Sequence, residues 1–300
     1  MNGIERFNNQ INKRKYFSNS ISKEYTDQIE MLLKSAFSRL EKREKIVIIG
    51  AGNLSDFSVE FLLKYFETVV LTDVDVEAIN DGLRYMRLPQ KYNSRIDVRR
   101  IEYTGFENAE FFVDFKERII NCYTEEKINK VIMSKLKSIS TYKFLKDDED
   151  IDFIYVSPIY TQLIYHQLLA ECKVLEDNGY PKHLVKYIRE LMLDQMTYVI
   201  ERFNKNLVNK LSNEGALFVL SDIFQLEIKS GFYRRVANSI KNYSVMEELY
   251  DGYKEKYGMG LGDYGLYNLG FLARSTLSRW LIWPYDEVSS FIVKLEIYSK

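Results

Sequence analysis

Cysteine, histidine and proline are all scarce in this chain. Two cysteines, Cys122 and Cys172, lie far apart with no CxxC spacing, which excludes a disulfide framework and a thiolate zinc site and fits a reducing compartment. With only two histidines, His166 and His183, a metalloenzyme has little to work with, and no metal is expected. No apolar run of roughly 18 residues exists to cross a membrane, and the N-terminal residues lack the apolar core of a signal peptide, so a cytoplasmic protein without a membrane partner is expected. Charge of either sign is not in surplus: 42 basic against 43 acidic residues leave a net −1. Proteins held by bulk phosphate attraction are usually basic, so nucleic acid is disfavoured as the main partner, although a local patch could bind it. Aromatics, by contrast, are plentiful, with 23 Tyr and 18 Phe, enough to fill a half-buried shell and to line a small-molecule pocket.

The order of elements points to an α/β protein. A polar arm over 1–22 precedes a helix from Tyr25 to Arg43, where Ile29, Leu32, Leu33, Phe37 and Leu40 recur at helical spacing. Ile46 to Ile49 is a continuous β-branched run, as in a strand buried on both faces. A helix over 55–66, a strand at Val69–Leu71, a helix at Val76–Met86 and a strand at Ile96–Ile101 follow, an alternation that implies parallel strands with right-handed crossovers. Helices around 111–121 and 125–139 interrupt it, followed by the acidic run Asp147 to Asp150, read as a solvated loop. A fourth strand at Phe153–Val156 has its helix over 161–176, and Pro181 opens a long helix closed by Asn213-Glu214-Gly215. Ala216–Leu220 is the fifth strand, and Ser278–Trp283 and Ser290–Tyr298 are the last two. The expected organisation is therefore an N-terminal arm and helix (1–44, a possible lid) and one domain (45–300) with insertions at about 106–150 and 226–275.

The most informative motif is the run from Ile46 through Gly50-Ala51-Gly52-Asn53, a buried strand entering a glycine turn before a helix. Glycines let a ligand approach the backbone, and a helix start presents unpaired N–H groups. Asp73 lies at the end of the second strand, where a carboxylate can accept both hydroxyls of an adenosine ribose. Ser55 stands where a dinucleotide fingerprint has its third glycine, which weakens a pyrophosphate reading.

Over about residues 23–300 the chain resembles the class I S-adenosylmethionine (SAM)-dependent methyltransferases, through IVIIGAGNLSDF, VVLTDVD, IEYTGF, DFIYVSPIYTQL, GALFVLSDIF and the final RWLIWPYDEVSSFIVKLEIY. The resemblance implies a doubly wound, seven-stranded, mostly parallel sheet whose last strand is antiparallel, and SAM as cofactor. Gly50, Ala51 and Gly52, with Asn53 beside them, would flank the methionyl part. Asp73 would hold the ribose, Val74 would lie beside the adenine, and Glu102, Tyr103 and Thr104 near its amino group. Ser157, Pro158 and Tyr160 would face sulfonium and acceptor. Two departures stand out: Ile49 replaces the acid usual before the first glycine, and no Asn-Pro-Pro-Tyr-type motif follows the fourth strand, which speaks against base or glutamine-amide N-methylation.

Candidates for acceptor contact or a general base are Tyr160, Asp222 just after the fifth strand, and His166; Tyr233, Arg234 and Arg235, or Arg14 to Phe17, could touch an acceptor but read more simply as exposed basic segments. Trp280 and Trp283 read as packing. The expected activity is methyl transfer to a small molecule or metabolite. A non-catalytic SAM- or nucleotide-binding module and an NAD(P)-dependent oxidoreductase are the alternatives.

Overall fold

The computed structural model describes residues 22–300, so all but the last residue of the expected arm, including Arg14 to Phe17, lies outside the described residues. Seven strands form one sheet: β1 (Lys45–Ile49), β2 (Thr68–Asp73), β3 (Ile96–Arg100), β4 (Ile151–Val156), β5 (Leu211–Glu227), β6 (Arg274–Pro284) and β7 (Ser289–Ser299). Their order is β3-β2-β1-β4-β5-β7-β6. The pairs from β3 through β5 are parallel, and β7 runs antiparallel to both β5 and β6. Only the last strand is reversed, as expected.

Side chains of β1 divide between two cores, as they must when a strand is covered on both faces. Ile46 and Ile48 pack with helix α1 (Ser22–Phe37) and the short α2 (Val59–Leu63), with α3 (Val76–Met86) completing that layer. Val47 and Ile49 face the opposite layer. There α4 (Phe111–Ile119) and α5 (Glu125–Ser138) pack with α6 (Tyr165–Asp177) and the long α7 (Lys182–Lys210), joined by α10 (Leu261–Leu272). A third, small core of Phe224, Val236, Met246, Tyr250, Trp280 and Ile292 lies under α8 (Gly231–Ser239) and α9 (Tyr243–Tyr257).

Several boundaries differ from expectation. Helix α1 stops at Phe37 because Arg39 and Leu40 donate only three residues back, to Ala36 and Phe37, and this tight turn still lets Leu40 drop into the core. The run Asp147–Asp150 is not simply a solvated loop: Asp148 is buried and binds Lys45 at 3.0 Å and Arg99 at 2.5 Å, tying β1 and β3 to the entry of β4. Asn213-Glu214-Gly215 is not a terminator outside the sheet. β5 begins at Leu211, and the pairing with β4 jumps from Leu211–Ile151 to Ala216–Phe153, so these residues form a bulge. Gly215 is needed there, since a Cβ would sit 2.8 Å from the Ile151 carbonyl oxygen. The second insertion is also less loop-rich than its glycines suggested, because α8, α9 and α10 occupy most of it.

Candidate functional site

At the carboxyl edge of β1, β2 and β4 the chain leaves a cleft, where open α/β sheets bind ligands. All the residues expected to hold a cofactor line it: Gly50, Ala51, Gly52, Asn53, Asp73, Val74, Glu102, Tyr103, Thr104, Ser157 and Pro158. The wall also contains Ser55, Asp56, Ile159, Gln162, Leu163 and Trp283, which the sequence reading did not place there. Three carboxylates, Asp56, Asp73 and Glu102, border the cleft, and no Lys, Arg or His does among the described residues.

The glycine turn is built by alternating left-handed residues: Gly50 at φ 73°, Gly52 at 52° and, unusually for a branched side chain, Leu54 at 60°. Leu54 is held there by burial and by α3 packed close above it: a Cβ on Gly82 would lie 2.6 Å from the Asn53 carbonyl oxygen and 3.2 Å from Leu54 Cδ1. Helix α2 begins only at Val59, capped by Ser58 Oγ accepting from the Phe61 N–H at 3.2 Å. The unpaired amides expected at a helix starting near Ser55 are therefore not at the turn. Nor are the turn's own amides open. Gly50 N–H donates to the Tyr103 hydroxyl at 3.0 Å, Ala51 N–H to the Thr72 carbonyl at 2.9 Å, and Gly52 N–H to Asp73 Oδ2 at 2.9 Å.

Asp73 is fixed from both sides, since its Oδ1 accepts from the Asp75 N–H at 2.9 Å. Burial pushes its carboxyl up to about 6, against the opposing pull of these amides. Lone pairs remain on both oxygens for further donors. Glu102 is committed to its own turn. It accepts from the Thr104 N–H at 2.7 Å, the Gly105 N–H at 2.6 Å and the Thr104 hydroxyl; burial raises its pKa as well. Tyr103 acts as a strut. Thr72 Oγ1 donates to the Ile48 carbonyl at 2.6 Å, so the Tyr103 hydroxyl, 2.9 Å from Thr72 Oγ1, must donate to it while accepting from Gly50. Burial raises the Tyr103 hydroxyl pKa far above its usual range, so it stays protonated.

The opposite wall is built differently. Trp283 closes it from β6 and stacks on Tyr25 of α1, with ring centroids 6.2 Å apart. Tyr155 of β4 lies behind, edge-on to Phe57 at 5.1 Å and stacked on Phe218 at 5.4 Å. The hydroxyls of Tyr25 and Tyr155 are buried with no hydrogen-bond partner among the described residues. Both have raised pKa values, first from burial and then from the carboxylate of Asp56, joined at Tyr25 by that of Asp222. Asp222 thus stands behind the cleft wall rather than on it.

Tyr160 does not line the cleft, contrary to expectation. It is fully buried, its ring fills the space beside Gly265, where a Cβ would meet it at 2.4 Å, and its hydroxyl donates to Asn204 Oδ1 at 3.0 Å. His166 is half-buried at the start of α6 and is also absent from the cleft wall; burial lowers its pKa. Trp283 could have been found from sequence: it shares strand parity with Leu281, which faces the α1 layer. Asp56 had no such signal.

No protein-family model matches the chain, and no curated protein matches it. Among solved structures, the N-methyltransferase NodS from Bradyrhizobium japonicum WM9, in complex with S-adenosyl-L-homocysteine, is similar at 12% identity and TM-score 0.47, over 98% of this chain and 99% of that one. A SAM-dependent methyltransferase from Methanosarcina mazei is similar at 14% identity and TM-score 0.43, over 89% of this chain and 96% of that one. Spermidine synthase from Thermotoga maritima is similar at 11% identity and TM-score 0.38, over 89% of this chain and 57% of that one. Identities this low, with TM-scores below 0.5, carry no functional weight. The sheet itself is decisive for architecture, because its seven mostly parallel strands with a single reversed last strand are those that the class I resemblance implies. The fold is that of a class I methyltransferase. Fold alone does not fix function, and the cleft has to supply the rest.

Proposed function

We propose that this chain is a SAM-dependent methyltransferase acting on a small-molecule acceptor. One observation carries the reading: all three amides of the glycine turn are spent on Tyr103, Thr72 and Asp73, and the cleft carries carboxylates with no basic side chain among the described residues. A dinucleotide needs that turn's amides for its pyrophosphate, and these carboxylates repel it. A sulfonium nucleoside bearing an ammonium group meets attraction instead. Asp73 has the lone pairs to accept ribose hydroxyls, and Gly50 and Gly52 leave the backbone bare where a ligand must come close. The residues present therefore fit the cofactor.

When bound, SAM supplies a methyl carbon on a positively charged sulfur, open to in-line displacement. The chain's part is placement and exclusion of water. Ser157 and Pro158 border the cleft at the end of β4, Leu163 and Trp283 wall it with apolar surface, and Asp56 is the ionisable group on the acceptor side. With Tyr160 and His166 away from the cleft, a SAM-binding module without catalysis is the second reading.

Calorimetric titration with SAM, S-adenosylhomocysteine and NADH tests the proposal. Micromolar binding of the first two with silence from NADH is the expected result. Binding of NADH alone would overturn it. Binding of SAM without methyl transfer to any acceptor in a broad screen would favour the second reading.

A further inference from the structure

Strand β6 is an edge of the sheet, with β7 as its one strand neighbour. From Arg279 to Ile282 its backbone bonds to β7 and to nothing else among the described residues. The outward N–H and C=O groups of this stretch therefore stand ready for another strand. A cavity of about 1120 Å³ lies here, and its lining shows how it runs. Leu281 packs with the core under α1, whereas Trp280 and Ile282 pack with the third core, on the opposite face of the sheet. All three line the same cavity. Only a groove that follows the open edge of the strand meets both faces at once. One wall is α1, with Tyr25, Met31 and Leu32; the other is α8 and the turn into α9, with Tyr233, Ile240 and Tyr243. Met31 and Tyr243 are exposed, so apolar surface continues to the rim.

Shape selects the occupant. The groove is larger than the roughly 300–1,000 Å³ of small-molecule pockets, and its floor offers a backbone edge rather than convergent side chains. A second copy would have to bring its own edge to a strand spacing of ~4.8 Å. That edge is recessed between the same helical walls, and the walls would meet first. A single extended strand with no helices beside it fits. Charge narrows the choice further. Arg279 and Lys241 are exposed cations on the groove, against one carboxylate, Glu24. The Arg279 guanidinium reaches the neighbouring Ser278 carbonyl at 2.8 Å, and Glu24 accepts from Gln28. By strand parity Arg279 stands on the α1 face with Leu281, while Lys241 belongs to the opposite wall. An incoming strand alternates its faces as well, so two successive acidic residues meet one cation each. Pro284, which has no N–H to donate, closes the usable edge at one end, and a short segment suffices.

We propose that this groove docks an extended peptide segment of a partner protein, added to β6 as an eighth strand. Its backbone bonds to Arg279–Ile282, an adjacent pair of acidic side chains faces Arg279 and Lys241, and flanking apolar side chains cover Met31 and Ile240. Tyr25 belongs to the groove wall and also stacks on Trp283 of the cleft wall, so the docking site and the cleft share a side chain. The docking stands whether or not the chain transfers methyl groups.

A charged residue and a proline are also the means by which edge strands are guarded against pairing, and three fluorescein-labelled peptides separate the two roles. They are Thr-Val-Glu-Asp-Val-Thr, its counterpart with Lys-Lys for Glu-Asp, and the acidic sequence N-methylated throughout, each titrated with the full-length protein by fluorescence polarisation. The acidic peptide is expected to bind at least tenfold more tightly than the Lys-Lys peptide. The N-methylated form, with the same side chains but no backbone donors, should lose tenfold or more. Arg279→Glu, at an exposed position, should reverse the preference between the charged peptides with the melting temperature unchanged. The amides of residues 279–282 should exchange with deuterium more slowly in the complex. Silence from the peptides, or equal binding by the N-methylated form, would overturn the proposal and leave a merely guarded edge. A dimer seen by sedimentation and dispersed by Arg279→Glu would give the groove to a second copy instead. A cross-link joining Lys241 to Lys13 or Lys15 within one chain would give it to the chain's own first residues.

Discussion

The two walls of the cleft differ in how far the protein has completed them. Over β1, β2 and β3 each functional group is held by the chain: Gly52 and Asp75 fix Asp73, Thr104 and Gly105 fix Glu102, and Tyr103 links Gly50 to Thr72. Over β4, β5 and β6 the aromatic rings are packed, yet the Tyr25 and Tyr155 hydroxyls bond to nothing among the described residues. A wall finished by its own hydrogen bonds is pre-organised and can bind an invariant ligand cheaply. A wall with open valences is left to a ligand or to ordered water. The division fits the proposed reading, with the cofactor held on the finished side.

Breaking the finished wall should have the largest effect. Asp73→Ala removes the proposed acceptor of two ribose hydroxyls and should weaken SAM by ~100-fold or more, with the fold intact by circular dichroism; a folded variant that binds SAM normally would refute this placement. Protonation should do the same thing more gently. With the Asp73 carboxyl at about 6, SAM affinity should fall about tenfold between pH 7 and pH 5, readable by calorimetry. The same proton helps the ligand-free fold. Because the folded pKa lies above the unfolded one, this group's contribution to stability is full at low pH and is lost as pH rises through about 6, a change of ~1 kcal/mol over that interval. Binding and stability should therefore shift in opposite directions with pH.

Gly82→Ala tests whether the wall is supported from outside the cleft. The new methyl meets the Asn53 carbonyl oxygen at 2.6 Å, and overpacking of this kind costs ~1–3 kcal/mol. A lower melting temperature together with weaker SAM binding is expected. Unchanged binding would show that the glycine turn holds its shape without α3. The smallest effects give the sharpest contrast. Tyr103→Phe strands the Gly50 amide and should destabilise the protein by ~1–2 kcal/mol, whereas Tyr155→Phe removes an unpaired hydroxyl and should be neutral or stabilising. Equal losses in both variants, measured by urea denaturation, would erase the distinction between the walls.

Much of the finished wall was legible in sequence because it is local. A β-branched run, a glycine turn and a strand-end carboxylate are written contiguously, and residues from Gly50 to Pro158 came together as expected. What could not be read is where hydrogen bonds point. The turn's amides face inward because Tyr103, Thr72 and Asp73 offer acceptors there, a three-dimensional fact that Gly-Ala-Gly does not encode. Tyr160 misled for the same reason: position after β4 suggested the cleft, but Gly265 and Asn204, far along the chain, drew its ring away. Asp148 looked like one more solvated acid until Lys45 and Arg99 converged on it. The unfinished wall depends on Tyr25, Asp222 and Trp283, distant from one another in sequence and joined only by packing.

One consequence concerns the third core. Beyond the bulge near Asp222, β5 continues to Glu227, paired with β7 through Ser289, and this overhang carries α8 and α9 on their own cluster of Phe224, Val236, Met246, Tyr250, Trp280 and Ile292. A segment with a private core can open as a unit while the rest stays closed. The amides of α8 and α9 should then exchange with deuterium as one block, ahead of β1 and β4, so that the molecule can breathe next to α1 without disturbing the strands that border the cleft.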